Sequence, residues 1–460
     1  MNRSFYNGII GSKAYMGGMD VLANNISNIN TSGFKGKEAR FSSLFSQLLQ
    51  ESPNAPVSNQ IGLGSAATTS IDLSQGSLVS TDRIFDFAIA GDGWFAMQKG
   101  SDTYYSRNGA FNIDASSYLA DDRGGYLLGA PSNAISTALQ KDGAYIASLV
   151  SDIPLAKESK PGKIFLPDKA ILPAKPTENV TFKGNINPIA ADGEIPETAN
   201  FYMPIIAADG QKASVHMILT PHVPPPSEGS NWDAKVQILK YHEPYDPAKS
   251  YDPALYFIDT SNQKVYSILD QKEGSLLFDA SGALTENTIP SLSNGNTPLV
   301  LNIGTPYNPN IPNSGYDGLT TFSNMPTAGK SVSYDGYEEG VLKGYSAADD
   351  GTIYANFTNG KSSAVARIPI YHFVNDQGLK SEEYVRFAET ADSGKPFLFT
   401  DVDGNVIQGA RLRTYALESS NVTLQHALTE MIVMQKAFDA NAKSITTSDQ
   451  MIQKAINMKK

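Results

Sequence analysis

The sequence predicts an α+β protein that is mainly β, with helices at both ends of the chain and β-rich domains between them, one inserted in another. Three observations predict it. Apolar residues recur at helical spacing near the start of the chain. They recur at strict intervals of seven near its end. Between the two, apolar and polar residues alternate in short runs punctuated by Gly, Pro, Asn and Asp.

At 460 residues the chain exceeds one ordinary core, so about two to four domains are expected. Hydrophobic residues make up 41% and charged residues 18%, with abundant Gly, Pro, Tyr and Phe, a profile of short strands and turns. The 36 basic residues stand against 47 acidic ones, a net charge of −11. An acidic chain without a basic stripe is a poor partner for nucleic acid or an anionic membrane. With no cysteine, disulfides, thiolate nucleophiles and thiolate metal sites are excluded. Arg3 is followed by no apolar run resembling a secretory signal, and no run is long enough for membrane insertion, so neither feature is expected.

From Phe5 to about Ile29 the apolar positions Tyr15, Met19, Leu22, Ile26 and Ile29 step by four, three, four and three, a coiled-coil-like seam. The run Asn28-Ile29-Asn30-Thr31-Ser32-Gly33 supplies a helix stop. Phe41 to Leu49 reads as a second short helix, and Ser52 to Ser70 as an extended connector. At the other end, Leu417, Leu424, Met431, Phe438, Ile445 and Ile452 form one seam. Asn421, Leu428, Gln435, Ala442, Asp449 and Ile456 form its half-polar partner. No Pro or Gly interrupts Ala416 to Lys460, which predicts a helix of about 40 residues, on the order of 60 Å. Such a seam asks for a partner helix, and polar residues within it fix register.

In the middle, Ile353, Ala355 and Phe357 alternate with polar neighbours, Asn359-Gly360 follows, and Ala364, Ala366, Ile368 and Ile370 alternate again, which predicts a hairpin. Pro-rich breaks at Pro221 to Pro226 and Pro306 to Pro312 lie in a stretch read as an inserted domain. The expected organisation is 1–68 with 412–460 as a terminal helical assembly domain, 69–145 with 325–411 as an inner β-domain, and 146–324 as an inserted outer β-domain.

The search for chemistry returns little. Gly91-Asp92-Gly93-Trp94-Phe95-Ala96 fits a loose dinucleotide fingerprint, but Met97 to Tyr105 reads as strand, turn, strand where a helix is required, so a hairpin turn is the favoured reading. Asp401, Asp403 and Asn405 resemble the start of a calcium loop, but Gly404 falls at the fourth position and Leu412 at the twelfth, which favours a solvated turn. The histidines, His216, His222, His242, His372 and His426, lack metal-pair spacing. No catalytic residues, cofactor or metal are expected.

Two terminal runs resemble a known family. Asn24-Asn25-Ile26-Ser27-Asn28-Ile29-Asn30-Thr31-Ser32-Gly33-Phe34-Lys35 resembles the N-terminal signature of flagellar rod and hook axial proteins. Leu417 to Val422, Met431 to Phe438, Asn441 to Lys443 and Thr447 to Met451 resemble the C-terminal one, with Asn421, Gln435, Asn441 and Asp449 among its motif positions. Thr423 stands where the family usually has an acidic residue and Lys436 where it usually has Arg. Asp335-Gly336-Tyr337, Asp350 to Ile353, Asn359-Gly360 and Phe373 to Leu379 resemble the inner β-domain of the hook branch, and the chain length favours that branch over the shorter distal rod subunits.

The resemblance implies a structural, non-enzymatic subunit that assembles with copies of itself into a helical tube, a flexible joint that transmits torque between rod and filament. It implies contacts with the distal rod, the hook cap and the hook–filament junction proteins. It also implies an extracellular place in the flagellum, reached by type III export without a cleaved signal peptide. Terminal helices that pair around a central channel would use Tyr15, Met19, Leu22, Ile26, Ile29, Leu417, Leu424, Leu428, Met431, Phe438, Ile445 and Ile452 as the assembly interface. The alternative within the family is a distal rod-type or paralogous hook-like axial protein, and the rival class is a binding or enzymatic module whose inserted domain binds glycan or a host surface or cleaves a substrate.

Overall fold

The computed structural model describes residues 3–43, 65–139, 143–155, 161–189, 197–222, 229–382, 385–402 and 406–458. It opens with a long helix, α1 (Arg3–Ser27), and ends with a longer one, α2 (Leu424–Met458). Everything described between them is strand, turn and one short 3-10 turn.

α1 stops where the Asn and Gly residues predict. Asn28 folds back, its Nδ2 donating to the Asn24 carbonyl at 2.9 Å, and Gly33 turns the chain at φ +69°. The next element departs from expectation. Phe41 lies in the strand Lys37–Ser43, paired antiparallel with Ser65–Ile71 from Lys37↔Ile71 to Ser43↔Ser65. Its ring packs on Tyr15 with centroids 5.0 Å apart. A strand forms because Ser65–Ile71, rich in Ser, Thr and Ala, offers a full ladder of backbone partners, which local apolar count cannot reveal. Residues 44–49 of the expected helix, and 52–64 of the expected connector, lie outside the described residues.

The inner body is a 14-stranded sheet system, and its ladder runs through strands from both halves of the chain. Thr352–Phe357 and Ser362–Arg367 form the predicted hairpin around Asn359-Gly360, with Gly360 at φ +76°. Phe95–Lys99 and Asp102–Ser106 form another. Gly91-Asp92-Gly93, however, is a bend and not a hairpin turn. The strand before it, Phe87–Ala90, pairs with Arg411–Thr414, and the strand after it pairs with Asp102–Ser106 and Tyr126–Pro131. Both glycines have positive φ, and a Cβ on Gly93 would sit 2.2 Å from Ile370 Cγ2, so the chain crosses between sheets at a point where only glycine fits. The core is built from Phe87, Phe95, Phe111, Leu127, Ile164, Ile353, Phe357 and Ile368, all buried.

The insert has its own core of Val180, Phe182, Met203, Val215, Trp232, Val236 and Leu276 between a five-stranded and a six-stranded sheet. Strand Ala199–Ile206 shows the in–out alternation of a sheet with one wet face. Its limits differ from 146–324. Tyr145–Ala147 and Ala170–Leu172 pair into the inner sheet, while Ala328–Tyr334 pairs with Asn179–Asn185 of the insert. The Lys175–Tyr337 bridge, hydrogen-bonded both ways at 2.9 and 3.0 Å, marks where the chain leaves and re-enters the inner body.

Candidate assembly site: the terminal helices and their junction

α1 and α2 pack along each other, but not through the expected α1 seam. The buried residues of α1 are Gly8, Gly11, Ala14, Gly18, Leu22 and Asn25, at helical steps of three and four. Only Leu22 of the expected set is among them; Tyr15, Met19 and Ile26 are half-buried flanks, and Ile29 is half-buried in the turn beyond the helix. The glycines allow close approach. A Cβ on Gly8 would lie 2.7 Å from Ile445 Cγ1 and 3.1 Å from the Asn441 carbonyl. One on Gly11 would lie 2.6 Å from Asn441 Oδ1, and one on Gly18 2.6 Å from Met434 Sδ. Asn441 is held for this contact by its Nδ2 bond to the Ala437 carbonyl at 2.8 Å.

Of the α2 set, Met431, Phe438 and Ile445 are half-buried, whereas Leu424, Leu428 and Ile452 are exposed. Gln435 and Asp449 are also exposed, the latter accepting from Gln453 at 2.9 Å. Leu417 is not in the helix. It belongs to strand Ala416–Glu418, paired with Leu78–Ser80, and α2 begins only after Thr423, whose carbonyl accepts the Ala427 N–H. The pair leaves apolar residues open to solvent on both helices. Tyr6, Ile9 and Met16 are exposed on α1, and Leu424, Leu428, Ile432, Val433, Met451, Ile452 and Ile456 on α2.

The remaining motif residues, some at the end of α1 and some beyond it, build the junction with the inner body. Asn25 accepts from Lys37 N at 3.0 Å and donates to its carbonyl at 2.8 Å, pinning the start of the hairpin to α1. Thr31 donates to Asn28 Oδ1 at 3.2 Å. Asn24 contributes its carbonyl to the Asn28 fold-back, and Phe34 is buried. Asn421 accepts from Gly36 N at 2.8 Å and donates to the carbonyls of Asp72 and Ser74 at 2.9 and 3.1 Å. The two terminal signatures thus meet in space.

At the centre of the junction is a buried charge cluster that sequence reasoning missed. The side chains of Glu418, Lys35 and Arg107 are 1%, 1% and 4% exposed. Lys35 Nζ is 2.8 Å from Glu418 Oε1, and Arg107 Nη1 3.5 Å from Oε2. Gly76 N donates to Oε1 at 2.9 Å. Burial lowers the pKa of Lys35 and of Arg107, with Glu418 pulling each back toward its charged form. Lys35 and Glu418 lie within the two terminal signature runs, which was the available signal; Arg107 had none.

The comparisons with known proteins fall on these same regions. Residues 413–458 match the C-terminal signature of the flagellar basal body rod FlgEFG proteins, and residues 88–168 the D1 domain of flagellar hook protein FlgE/F/G. Residues 18–35 match the flagella basal body rod protein signature. The flagellar hook protein FlgE of Borreliella burgdorferi is 26% identical over 100% of both chains. That of Salmonella typhimurium is 26% identical over 99% of this chain and 100% of its own. The basal-body rod protein FlgG of Bacillus subtilis is 37% identical over 31% of this chain and 60% of its own. The crystal structure of Helicobacter pylori flagellar hook protein FlgE2 aligns over 74% of this chain and 100% of its own, at 16% identity and a TM-score of 0.47. The relatives named FlgE are structural hook proteins, and none of the three matched signatures is catalytic. With both terminal signatures, the inner-domain signature and full-length hook relatives aligned on it, the chain belongs to the flagellar rod and hook axial family, as a structural subunit of the hook.

Proposed function

We propose that the chain polymerises with copies of itself into a helical tube that works as a flexible, torque-transmitting joint and carries no catalytic role. One observation carries this reading: α1 and α2 bury one face against each other and leave apolar side chains exposed on the rest of both helices. In water such surface is unfavourable, and contact with neighbouring subunits would remove it. A head-to-tail contact that does not close generates a helical filament. The small-residue face supplies the intramolecular pairing. The exposed residues Leu424, Leu428, Ile432, Val433, Ile452 and Ile456, with Tyr6, Ile9 and Met16, supply the intersubunit one. The inner body and insert lie outside the helical core, where sliding contacts permit bending. By family likeness the tube ends meet the distal rod, hook cap and hook–filament junction proteins, and the subunit leaves the cell by the flagellar export route without a cleaved signal peptide.

The test is the double variant Ile432→Asp with Val433→Asp. Both side chains are exposed in the subunit, at 58% and 63%, so the fold should be kept. In a packed tube the two carboxylates would be buried without partners, each at an effective cost of several kcal/mol. Electron microscopy should find no hooks; hooks of normal length would remove these residues from the interface.

A further inference from the structure

We propose that Glu418 is a positioning residue that makes the order of the two chain ends mutually dependent. Its side chain is the point through which the segment leaving α1 and the segment entering α2 hold each other against the inner body. The consequence for the assembled joint rests on the hook-subunit reading; the coupling itself does not.

Three segments converge on this one residue. From the segment after α1, Lys35 Nζ donates to Oε1 at 2.8 Å, and Gly33 N donates to the Glu418 backbone carbonyl at 2.7 Å. From the segment after the hairpin, Gly76 N donates to Oε1 at 2.9 Å, while the Ser74 carbonyl takes a second bond from Lys35 at 2.7 Å. From the inner body, Arg107 reaches Oε2 at 3.5 Å, donates to the Gly91 carbonyl at 2.8 Å and lies 5.6 Å from the Trp94 ring. Two glycines record how tightly the segments close. A Cβ on Gly76 would stand 2.0 Å from the Ser419 carbonyl oxygen, and one on Gly33 2.3 Å from Asn108 N.

The charge count gives the proposal a signature. Glu418 is the carboxylate in direct contact with both buried cations, while Asp72 acts on Lys35, and Asp92 and Asp376 on Arg107, through charge alone. Neutralising Glu418 leaves two buried cations facing each other, whereas removing Lys35 leaves Glu418 paired with Arg107. Loss of the carboxylate is therefore the worse lesion, and removing Lys35 in addition relieves it. Simple loss of contacts would make the double variant worse than either single one.

The test is hydrogen–deuterium exchange on the full chain, comparing wild type, Glu418→Gln, Lys35→Met and the double variant. E418Q should speed exchange by about tenfold or more in peptides spanning 31–37, 72–78 and 416–423. Peptides spanning 353–357 and 364–370 should stay at the wild-type rate, and the double variant should fall between K35M and E418Q. Uniform acceleration that includes 353–370, no change at the junction, or a double variant worse than E418Q would each overturn the proposal. Should E418Q fail to fold, K35M decides alone. It must speed exchange at 416–423, a segment 383 residues away at the ion pair, without touching 353–370. Complementation of a hook-less strain by the wild-type chain tests the hook reading separately. Absence of hooks there would overturn that reading and leave the exchange result standing.

Discussion

The glycine ridge of α1 makes a prediction in which two opposing energies can be separated. Gly8→Ala and Gly17→Ala are the same chemical change in the same helix. Each gains about 1 kcal/mol of helix propensity, because alanine loses less backbone entropy on folding. At Gly17 nothing lies within 4 Å of the added Cβ, so that gain should appear in full. At Gly8 the added methyl meets Ile445 Cγ1 at 2.7 Å and the Asn441 carbonyl at 3.1 Å, and a backbone oxygen inside a helix cannot step aside. Overpacking of this kind costs about 1–3 kcal/mol, so Gly8→Ala should be neutral to destabilising by about 2 kcal/mol. The contrast between the two variants isolates the clash. Gly18→Ala is intermediate, because its nearest neighbour is the flexible end of Met434. Amide exchange within α1 reads the local opening free energy directly. Slower exchange in Gly17→Ala with faster exchange in Gly8→Ala is the expected pattern. Equal effects at the two positions would refute close packing of α1 on α2.

Stability should fall in acid through His216 and His372. Burial depresses both imidazoles below their ordinary pKa of 6.5, Asp376 and Asp92 pulling His372 back up and Arg107 pushing it further down. The unfolded chain therefore takes up protons that the folded one resists. The contribution is whole above about pH 6.5 and declines as pH drops below it, until the folded pKa is passed, at up to about 1.4 kcal/mol per unit for each residue. Denaturant midpoints at pH 7.5 and 5.5 measure this, and His372→Gln should flatten the slope. Gly33→Ala should cost about 1–3 kcal/mol at the junction, because its φ of +69° strains an L-residue and its Cβ would strike Asn108 N; faster proteolysis near residue 33 would report it. Replacing 176–336 by Asn-Gly should leave the inner body folded. The doubly hydrogen-bonded Lys175–Tyr337 pair is ready for a two-residue turn, and a retained cooperative melt is the check.

The parts of this architecture visible in sequence were those with a large-apolar or turn signature. α2 announced itself through an uninterrupted stretch with a sevenfold apolar repeat, and the Asn359-Gly360 hairpin through alternation around a turn. The α1 contact face did not, because its close approach depends on Gly8, Gly11 and Gly18, whose missing side chains register as no hydrophobicity at all. Leu417 continued the sevenfold series while belonging to a strand, since periodicity carries no information about where Leu78–Ser80 will lie. Phe41 misled for a similar reason, its strand partner being supplied from 65–71. The junction was half legible: Asn25, Asn28, Gly33 and Asn421 stood in the signatures, but the Lys35–Glu418–Arg107 cluster exists only once the fold brings the three together.

In the proposed assembly the terminal helices form the interior of a tube through the faces left open in the subunit. A helical reconstruction of the polymer, by electron cryomicroscopy, tests it most directly. α1 and α2 should lie at the smallest radius, with Tyr6, Ile9, Met16, Leu428, Ile432, Val433 and Ile456 buried between subunits and the 176–334 insert outermost. A polymer in which these residues stay solvent-exposed, or in which the insert lines the inner wall, would contradict it.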